Sequence, residues 1–124
     1  MKETPSEILE LKEVFNRADG FIISFAEHNG SYTAAYKNVI DWISVQEGKT
    51  FNGKPVLLLA TSPGARGGAN VLETSKLYYP HMGAHVTGAL SVPSFHDNFK
   101  DGKLTNEELE VSLVGEVANF NSML

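Results

Sequence analysis

Two short stretches hold most of the residues able to meet a ligand: Ala26-Glu27-His28-Asn29-Gly30 and Ser62-Pro63-Gly64-Ala65-Arg66-Gly67-Gly68. Glycine lets a backbone come close to a ligand and leaves its N–H groups free to donate. A helix beginning just after such a loop adds the positive partial charge of its N-terminus. The pattern therefore points to binding through main-chain donors. Several better-known chemistries are excluded. No glycine loop ends in Gly-Lys-Ser/Thr, and Gly64 to Gly68 lacks dinucleotide-fingerprint spacing. Ser62 lacks the flanking glycines of a nucleophile elbow. No histidine pair has metal-ligand spacing on a helix, so no catalytic residue and no metal ligand is assigned. The plain structural alternative for Asn29-Gly30 is a turn, because both residues favour left-handed conformations.

The elements that must position these loops follow from periodicity. Thr4-Pro5-Ser6-Glu7 reads as a capping box opening a helix whose apolar face is Ile8, Leu11, Phe15 and Ala18, ended by Asp19-Gly20. Phe21 to Phe25 is a short continuous apolar run, which predicts a buried parallel strand. Ser31 is placed as the N-cap of a helix carrying Tyr32, Tyr36, Val39, Ile40 and Ile43 on one face. Pro55 to Ala60 is the most uniformly apolar run and predicts an interior strand. A helix over about 69–82, stopped by Gly83, leads to a third strand, Val86 to Val92, whose alternation suits a sheet edge. Thr105 and Glu108 suggest a second capping box before a helix with Leu109, Leu113, Val117 and Phe120 on its apolar face. The order αβαβαβα predicts an α/β fold, with a parallel sheet covered on both faces in three layers, as a single domain over 1–124.

Both loops then fall at the carboxyl ends of strands, where open parallel sheets bind ligands. Phe95 and Phe99, in the loop after the third strand, suit either a lid over the site or an anchor for the loop. Trp42, Tyr36 and Tyr32 have the helical spacing of core or subunit contact. Lys37 and Asp41 read as a surface ion pair, and His81, His85 and His96 as surface residues.

The bulk properties are those of a soluble globular chain: 124 residues, 42% hydrophobic and 20% charged, which suffices for a core. The absence of cysteine excludes a disulfide framework and thiolate chemistry. A formal charge of −5 without a basic stripe argues against a nucleic-acid partner. No run approaches the roughly 20 apolar residues of a membrane span, and the polar, acidic start is no signal peptide. A cytoplasmic location is expected. Phe21 to Phe25 has neither lysine nor proline to protect an edge. It reads as a strand made for a neighbour on both sides, one of them outside this sequence.

The run ADGFIISFAEHNGSYTAAYKNVIDW (18–42) resembles the strand–loop–helix of the NAD(P)H-dependent FMN reductase family, which is flavodoxin-like. That family shows Pro-Glu-Tyr-Asn-Gly-Ser-Tyr followed by Leu-Lys-Asn-Ala-Ile-Asp-Trp. Here the corresponding runs are Ala26 to Tyr32 and Tyr36 to Trp42, with Ala26 and His28 replacing proline and tyrosine. Lys54-Pro55 through Thr61 to Asn70 resembles the family's fourth strand and second flavin loop. Ser91 to Phe95 and Asp97-Asn98-Phe99 resemble its fifth strand and the loop after it. The likeness covers nearly the whole chain.

The resemblance implies a flavodoxin-like sheet of strand order 2-1-3-4-5 with FMN at the strand ends. It assigns Glu27, His28, Asn29 and Gly30 to one side of the flavin, and Ser62, Pro63, Gly64, Ala65, Arg66, Gly67 and Gly68 to the other. FMN is the implied cofactor and NAD(P)H the co-substrate, with hydride transfer to FMN and onward reduction of a small-molecule acceptor such as free flavin, a quinone or an azo dye. The family's first strand and its Ser-x-Arg-x-x-Ser-x-Asn phosphate loop have no counterpart here, so the chain reads as the family's C-terminal part, N-terminally truncated. Homo-oligomers are expected from the family and from the unpaired first strand. The alternatives are a flavodoxin-type electron carrier and an inactive fragment of the reductase.

Overall fold

The computed structural model describes residues 3–124. Three parallel strands form the central sheet: β1 (Phe21–Phe25), β4 (Pro55–Thr61) and β5 (His85–Val92), in the order β1-β4-β5. The helices are α1 (Ser6–Arg17), α2 (Ala34–Ser44), α3 (Ala69–Tyr78), the one-turn α4 (Phe95–Asn98) and α5 (Glu107–Ser122). A 3₁₀ turn, Tyr79–Met82, continues α3 and ends on Gly83 in the left-handed region, as the sequence predicts. Two short hairpins complete the chain: β2 (Glu27–His28) with β3 (Ser31–Tyr32), and β6 (Phe99–Lys100) with β7 (Lys103–Leu104). The expected αβαβαβα order and three layers are present, with these small elements added in the loops.

Alternation along the strands sorts their side chains between two layers. Phe21, Ile23 and Phe25 of β1 and Val56, Leu58 and Ala60 of β4 face α1, α2 and α3, forming the main core with Phe51, Val71 and Tyr79. The opposite face is covered by α5, which lies over β5 and β4. β4 is interior, with Val56, Leu57 and Leu58 fully buried. β5 lies at the edge and carries a bulge at Thr87, between the Val56–Val86 and Leu57–Gly88 rungs.

β1 departs from the expectation of a buried strand. Among the described residues it pairs only with β4, and Ile22 is 51% exposed. The cause is topological: α5 packs mainly on β5 and β4, and among the described residues no strand lies on the other side of β1.

Two capping expectations shift by one or two residues. Thr33, not Ser31, caps α2, its Oγ1 accepting from Tyr36 N at 3.2 Å. Asn106, not Thr105, caps α5, its Oδ1 accepting from Leu109 N at 3.2 Å. At α1 no side chain caps the N-terminus, and Pro5 occupies the N-cap position. The other end of α1 is held from the sheet, where Lys54 Nζ donates to the carbonyls of Phe15 (2.9 Å) and Asn16 (2.8 Å). A lysine at a helix C-terminus satisfies orphan carbonyls and offsets the dipole.

Candidate functional site at the strand ends

The first loop is a hairpin. β2 and β3 pair antiparallel through the rungs Glu27–Tyr32 and His28–Ser31. Asn29 (φ 53°) and Gly30 (φ 79°) close it with both central residues left-handed. This is the geometry of a type I′ turn, for which Asn-Gly is the preferred dipeptide. The turn reading of Asn29-Gly30 is thus realised, and the turn puts its tip in solvent next to the second loop. A Cβ on Gly30 would lie 3.5 Å from Asn70 Nδ2, at the start of α3. His28 is exposed and, by alternation, on the face of the hairpin opposite Glu27.

The second loop divides into two parts. Pro63, Gly64, Ala65 and Arg66 are exposed at the tip, Ser62 is half-buried, and Gly67 and Gly68 are buried beneath. Gly67 has φ 56°, and a Cβ there would meet Ser91 Oγ and the Pro93 backbone at 2.8 Å. Gly68 has φ 76°, and a Cβ there would lie 3.0 Å from Ala60 Cβ, so it lets the start of α3 press on β4. These two glycines shape the loop from below, while Pro63 to Arg66 present its surface.

The third strand's loop holds the second in place. Ser94 N donates to Gly64 O (2.9 Å) and Phe95 N to Ser62 O (3.0 Å). Ser91 Oγ donates to Gly67 O at 2.8 Å, and Thr61 Oγ1 to Val92 O at 2.7 Å. Ser94 itself is left-handed, with φ 47°. The carbonyls of Ser62, Gly64 and Gly67 are thereby turned inward. The amide N–H groups of Gly64, Ala65 and Arg66 donate to no protein acceptor among the described residues. The donor set of this tip is therefore backbone N–H, suited to the carbonyl oxygens and ring nitrogens of a planar heterocycle. Arg66 adds a guanidinium at the rim, one nitrogen of which donates to Asn70 Oδ1 at 2.7 Å.

Two grips join the loops. Glu27 Oε1 accepts from Val71 N at 2.7 Å. The Tyr32 hydroxyl lies 2.8 Å from Ser75 Oγ, one turn further along α3. Ser75 Oγ gives its own proton to Val71 O at 2.8 Å, so Tyr32 is the donor to Ser75. Beneath lies an aromatic cluster in which the Tyr36 and Tyr79 hydroxyls are hydrogen-bonded and Phe25 packs against both rings. Burial pushes the Tyr32 and Tyr36 hydroxyls above the ordinary phenol value. They stay protonated at neutral pH as fixed donors.

All the residues assigned to the site lie at the carboxyl end of the sheet, but not in equal roles. Asn29, Gly30 and Pro63 to Arg66 form the exposed surface. Glu27, Gly67 and Gly68 act behind it. Asn70, Ser91 and Ser94 were not legible as site residues; only the position of Asn70 at the end of the Gly-Ala-Arg-Gly-Gly-Ala-Asn run hinted at its part. Phe95 and Phe99 stack at 5.0 Å and 20° and line the trough between β4, β5 and α5. Lys37 and Asp41 form the expected exposed ion pair at 2.8 Å.

The chain is similar to known proteins over most of its length. A model of the family "NADPH-dependent FMN reductase" matches residues 1–97. A quinone reductase from Escherichia coli is 40% identical over 65 residues, covering 52% of this chain and 35% of its own length. A quinone reductase from Pseudomonas putida is 33% identical over an alignment covering 97% of this chain and 67% of that protein. The flavoenzyme NAD(P)H:(acceptor) oxidoreductase FerB from Paracoccus denitrificans superposes with a TM-score of 0.79 at 29% identity, covering 98% of this chain and 69% of FerB. The chain spans about a third of the length of the Escherichia coli relative. With its sheet, its two strand-end loops and a family match over most of its length, this chain belongs to the NADPH-dependent FMN reductase family.

Proposed function

We propose that this chain binds the isoalloxazine ring of FMN between the Asn29-Gly30 turn and the Pro63-to-Arg66 tip, as part of an NAD(P)H-dependent oxidoreductase. The observation that carries this reading is the pairing of the two loops. The N–H groups of Gly64, Ala65 and Arg66 have no protein acceptor among the described residues, and Asn70 lies against both Arg66 and the Asn-Gly turn at the strand ends of a member of this family. FMN, when bound, supplies the redox chemistry, taking a hydride from NAD(P)H and passing electrons to a small acceptor such as a quinone. The protein's own part is to hold and orient. Gly64, Ala65 and Arg66 donate main-chain hydrogen bonds, Asn29 and Gly30 bound the other side, His28 flanks the turn, and Ser62, Gly67 and Gly68 set the loop's shape. Glu27 and Arg66 complete the site. No side chain is needed as acid, base or nucleophile.

The domain is read as one unit over 1–124, acting in the cytoplasm with a small-molecule acceptor and no nucleic-acid or membrane partner. No helix among the described residues is long and apolar enough to cross a membrane. Self-association is supported by the unpaired edge of β1 and by the half-exposed Ile22.

Titration of the protein into FMN, followed by flavin fluorescence, tests the reading. Saturable quenching, with NAD(P)H oxidation that depends on added quinone, is the expected result. Unquenched FMN at protein concentrations in the high micromolar range, with no FMN-dependent NAD(P)H oxidation, refutes it.

A further inference from the structure

We infer that Glu27 is a positioning residue for the flavin-ring site, acting through the N-terminus of α3 rather than by touching the flavin. The inference rests on the ring-site reading above and departs from the assignment of Glu27 as a flavin contact. The N-cap of α3 is Gly68, which has no side chain to cap it, and the first turn of the helix contains no acidic residue. The first turn of a helix exposes N–H groups that need partners and a positive end that favours a carboxylate. Glu27 supplies that carboxylate from 44 positions earlier in the chain, accepting from Val71 N at 2.7 Å.

The placement has a mechanical consequence. Glu27 and Tyr32 face each other across one rung of the β2–β3 hairpin. Each grips α3, Glu27 at Val71 and Tyr32 at Ser75, one helical turn apart. Two contacts on one rung fix both the distance and the tilt of the hairpin against the helix. The Asn29-Gly30 turn is the next feature along the hairpin, and the Gly64-to-Gly68 loop runs directly into α3. Holding the hairpin to α3 therefore sets the gap between the two flavin-facing surfaces.

There is also an electrostatic consequence. A helix N-terminus is a natural seat for a phosphate. Here the protein's own carboxylate occupies it. The second loop thus offers its amides to a neutral ring edge, while α3 does not attract the phosphate of FMN into the same place. Riboflavin and FMN should accordingly lose affinity by the same factor when Glu27 is altered.

Glu27→Ala, Glu27→Gln and Tyr32→Phe in the full chain test this. In unliganded protein, hydrogen exchange at Val71 and at the hydrogen-bonded loop amides Gly67 and Ala69 should quicken about tenfold in E27A, while the β4 amides keep their protection. E27Q keeps an acceptor oxygen and should stay within about threefold of the wild type. Y32F removes the other grip alone and should loosen the same loop even if E27A fails to fold. In fluorescence titrations E27A should weaken riboflavin and FMN equally, by about twofold to thirtyfold, the effect of losing a helix cap, with E27Q near the wild type. Unchanged exchange at Val71 and the loop in E27A overturns the clamp. Affinity as poor in E27Q as in E27A, with Val71 still protected, would mean that the carboxylate meets the flavin directly. If the wild type binds no flavin, the ring-site reading fails, and the exchange measurements still decide whether Glu27 holds the loops.

Discussion

Gly67→Ala and Gly64→Ala are three residues apart in one loop, and the structure separates their consequences sharply. Gly67 sits at φ 56°, and a Cβ there would lie 2.8 Å from both Cα and N of Pro93. Alanine in the left-handed region costs roughly 1–2 kcal/mol. Carbon contacts are comfortable near 3.5–4.0 Å, so the overlap is against backbone that cannot rotate away, adding about 1–3 kcal/mol. The sum is roughly 2–5 kcal/mol, a large part of the 5–15 kcal/mol typical of a whole domain. Gly64 has no positive φ, and the nearest atom to an added Cβ is Ser62 Oγ at 3.7 Å. Its substitution should change stability by less than about 0.5 kcal/mol.

Urea unfolding followed by circular dichroism reads both variants. With a slope of about 2 kcal/mol per molar, the middle of the usual range, G67A should lower the midpoint by about 1–2.5 M and G64A should not move it measurably. Flavin titration inverts the ranking of interest. G64A keeps the backbone N–H but adds a methyl group on the exposed tip that holds the ligand off, and should weaken FMN by about twofold to tenfold, the effect of stretching one hydrogen bond, in a protein of normal stability. Equal urea midpoints for the two variants would refute the division of the loop into a buried base and a presenting tip.

Tyr36 is raised by burial above the ordinary phenol value of 10.0, as is Tyr79. The unfolded chain therefore releases these protons first, and stability is full below pH 10 and falls as pH rises beyond it. The slope is about 1.4 kcal/mol per pH unit for each tyrosine. Lys12, lowered by burial and by Lys54, acts in the opposite sense. With Tyr32 raised as well, Tyr36→Phe should lower the tyrosine-driven alkaline slope in denaturation between pH 10 and 11 by about a third; an unchanged slope would show that the Tyr36–Tyr79 pair does not titrate with unfolding. Lys54→Met removes both bonds to the end of α1 and should cost about 1–3 kcal/mol in the same assay, whereas Lys37→Ala at the exposed ion pair should stay within about 0.5 kcal/mol. Ile22→Lys puts a charge on the open strand and should shift any self-associated species toward monomer in light scattering, with little effect on the melting temperature.

The parts of the fold legible in the sequence were those decided locally. Pro55 to Ala60 is apolar at nearly every position because both of its faces are covered, and that pattern survives any choice of neighbours. Gly83 ends its helix for a reason contained in a few residues. The caps were harder. Ser31 is a good capping residue, but Asn29-Gly30 turns the chain back into a hairpin, so Ser31 pairs with His28 and the helix starts after Thr33. The Asn-Gly signal was visible, yet strands of two residues leave no alternation to support it. Least legible were roles set by distant segments. Gly67 and Gly68 read as ligand-facing because glycine loops often are; their burial depends on Pro93 and Ala60. Nothing near Glu27 in sequence announces Val71.

β1 shows most clearly how a local pattern can state a requirement that the described residues do not meet. Its five residues are nearly as apolar as those of β4, and the face toward α1 and α2 is packed as such a strand requires. The other face is not. Ile22 and Ser24 are exposed, while Leu57 beside them on β4 is fully buried. One parallel neighbour satisfies one edge of a strand, and the other edge keeps its free N–H and C=O groups. The same exposed side continues into an apolar trough lined by Ser24, Leu59, Leu90, Leu113, Phe95 and Phe99. An open edge and an uncovered apolar face on the same strand are two costs with one remedy, an element that pairs with β1 and covers Ile22. β1 runs directly into Ala26 and the hairpin, so whatever occupies that edge also borders the Asn29-Gly30 turn. Order at the edge of the sheet and order in the binding loops are thus parts of one structural problem, and variants at Ile22 and at Glu27 approach it from its two ends.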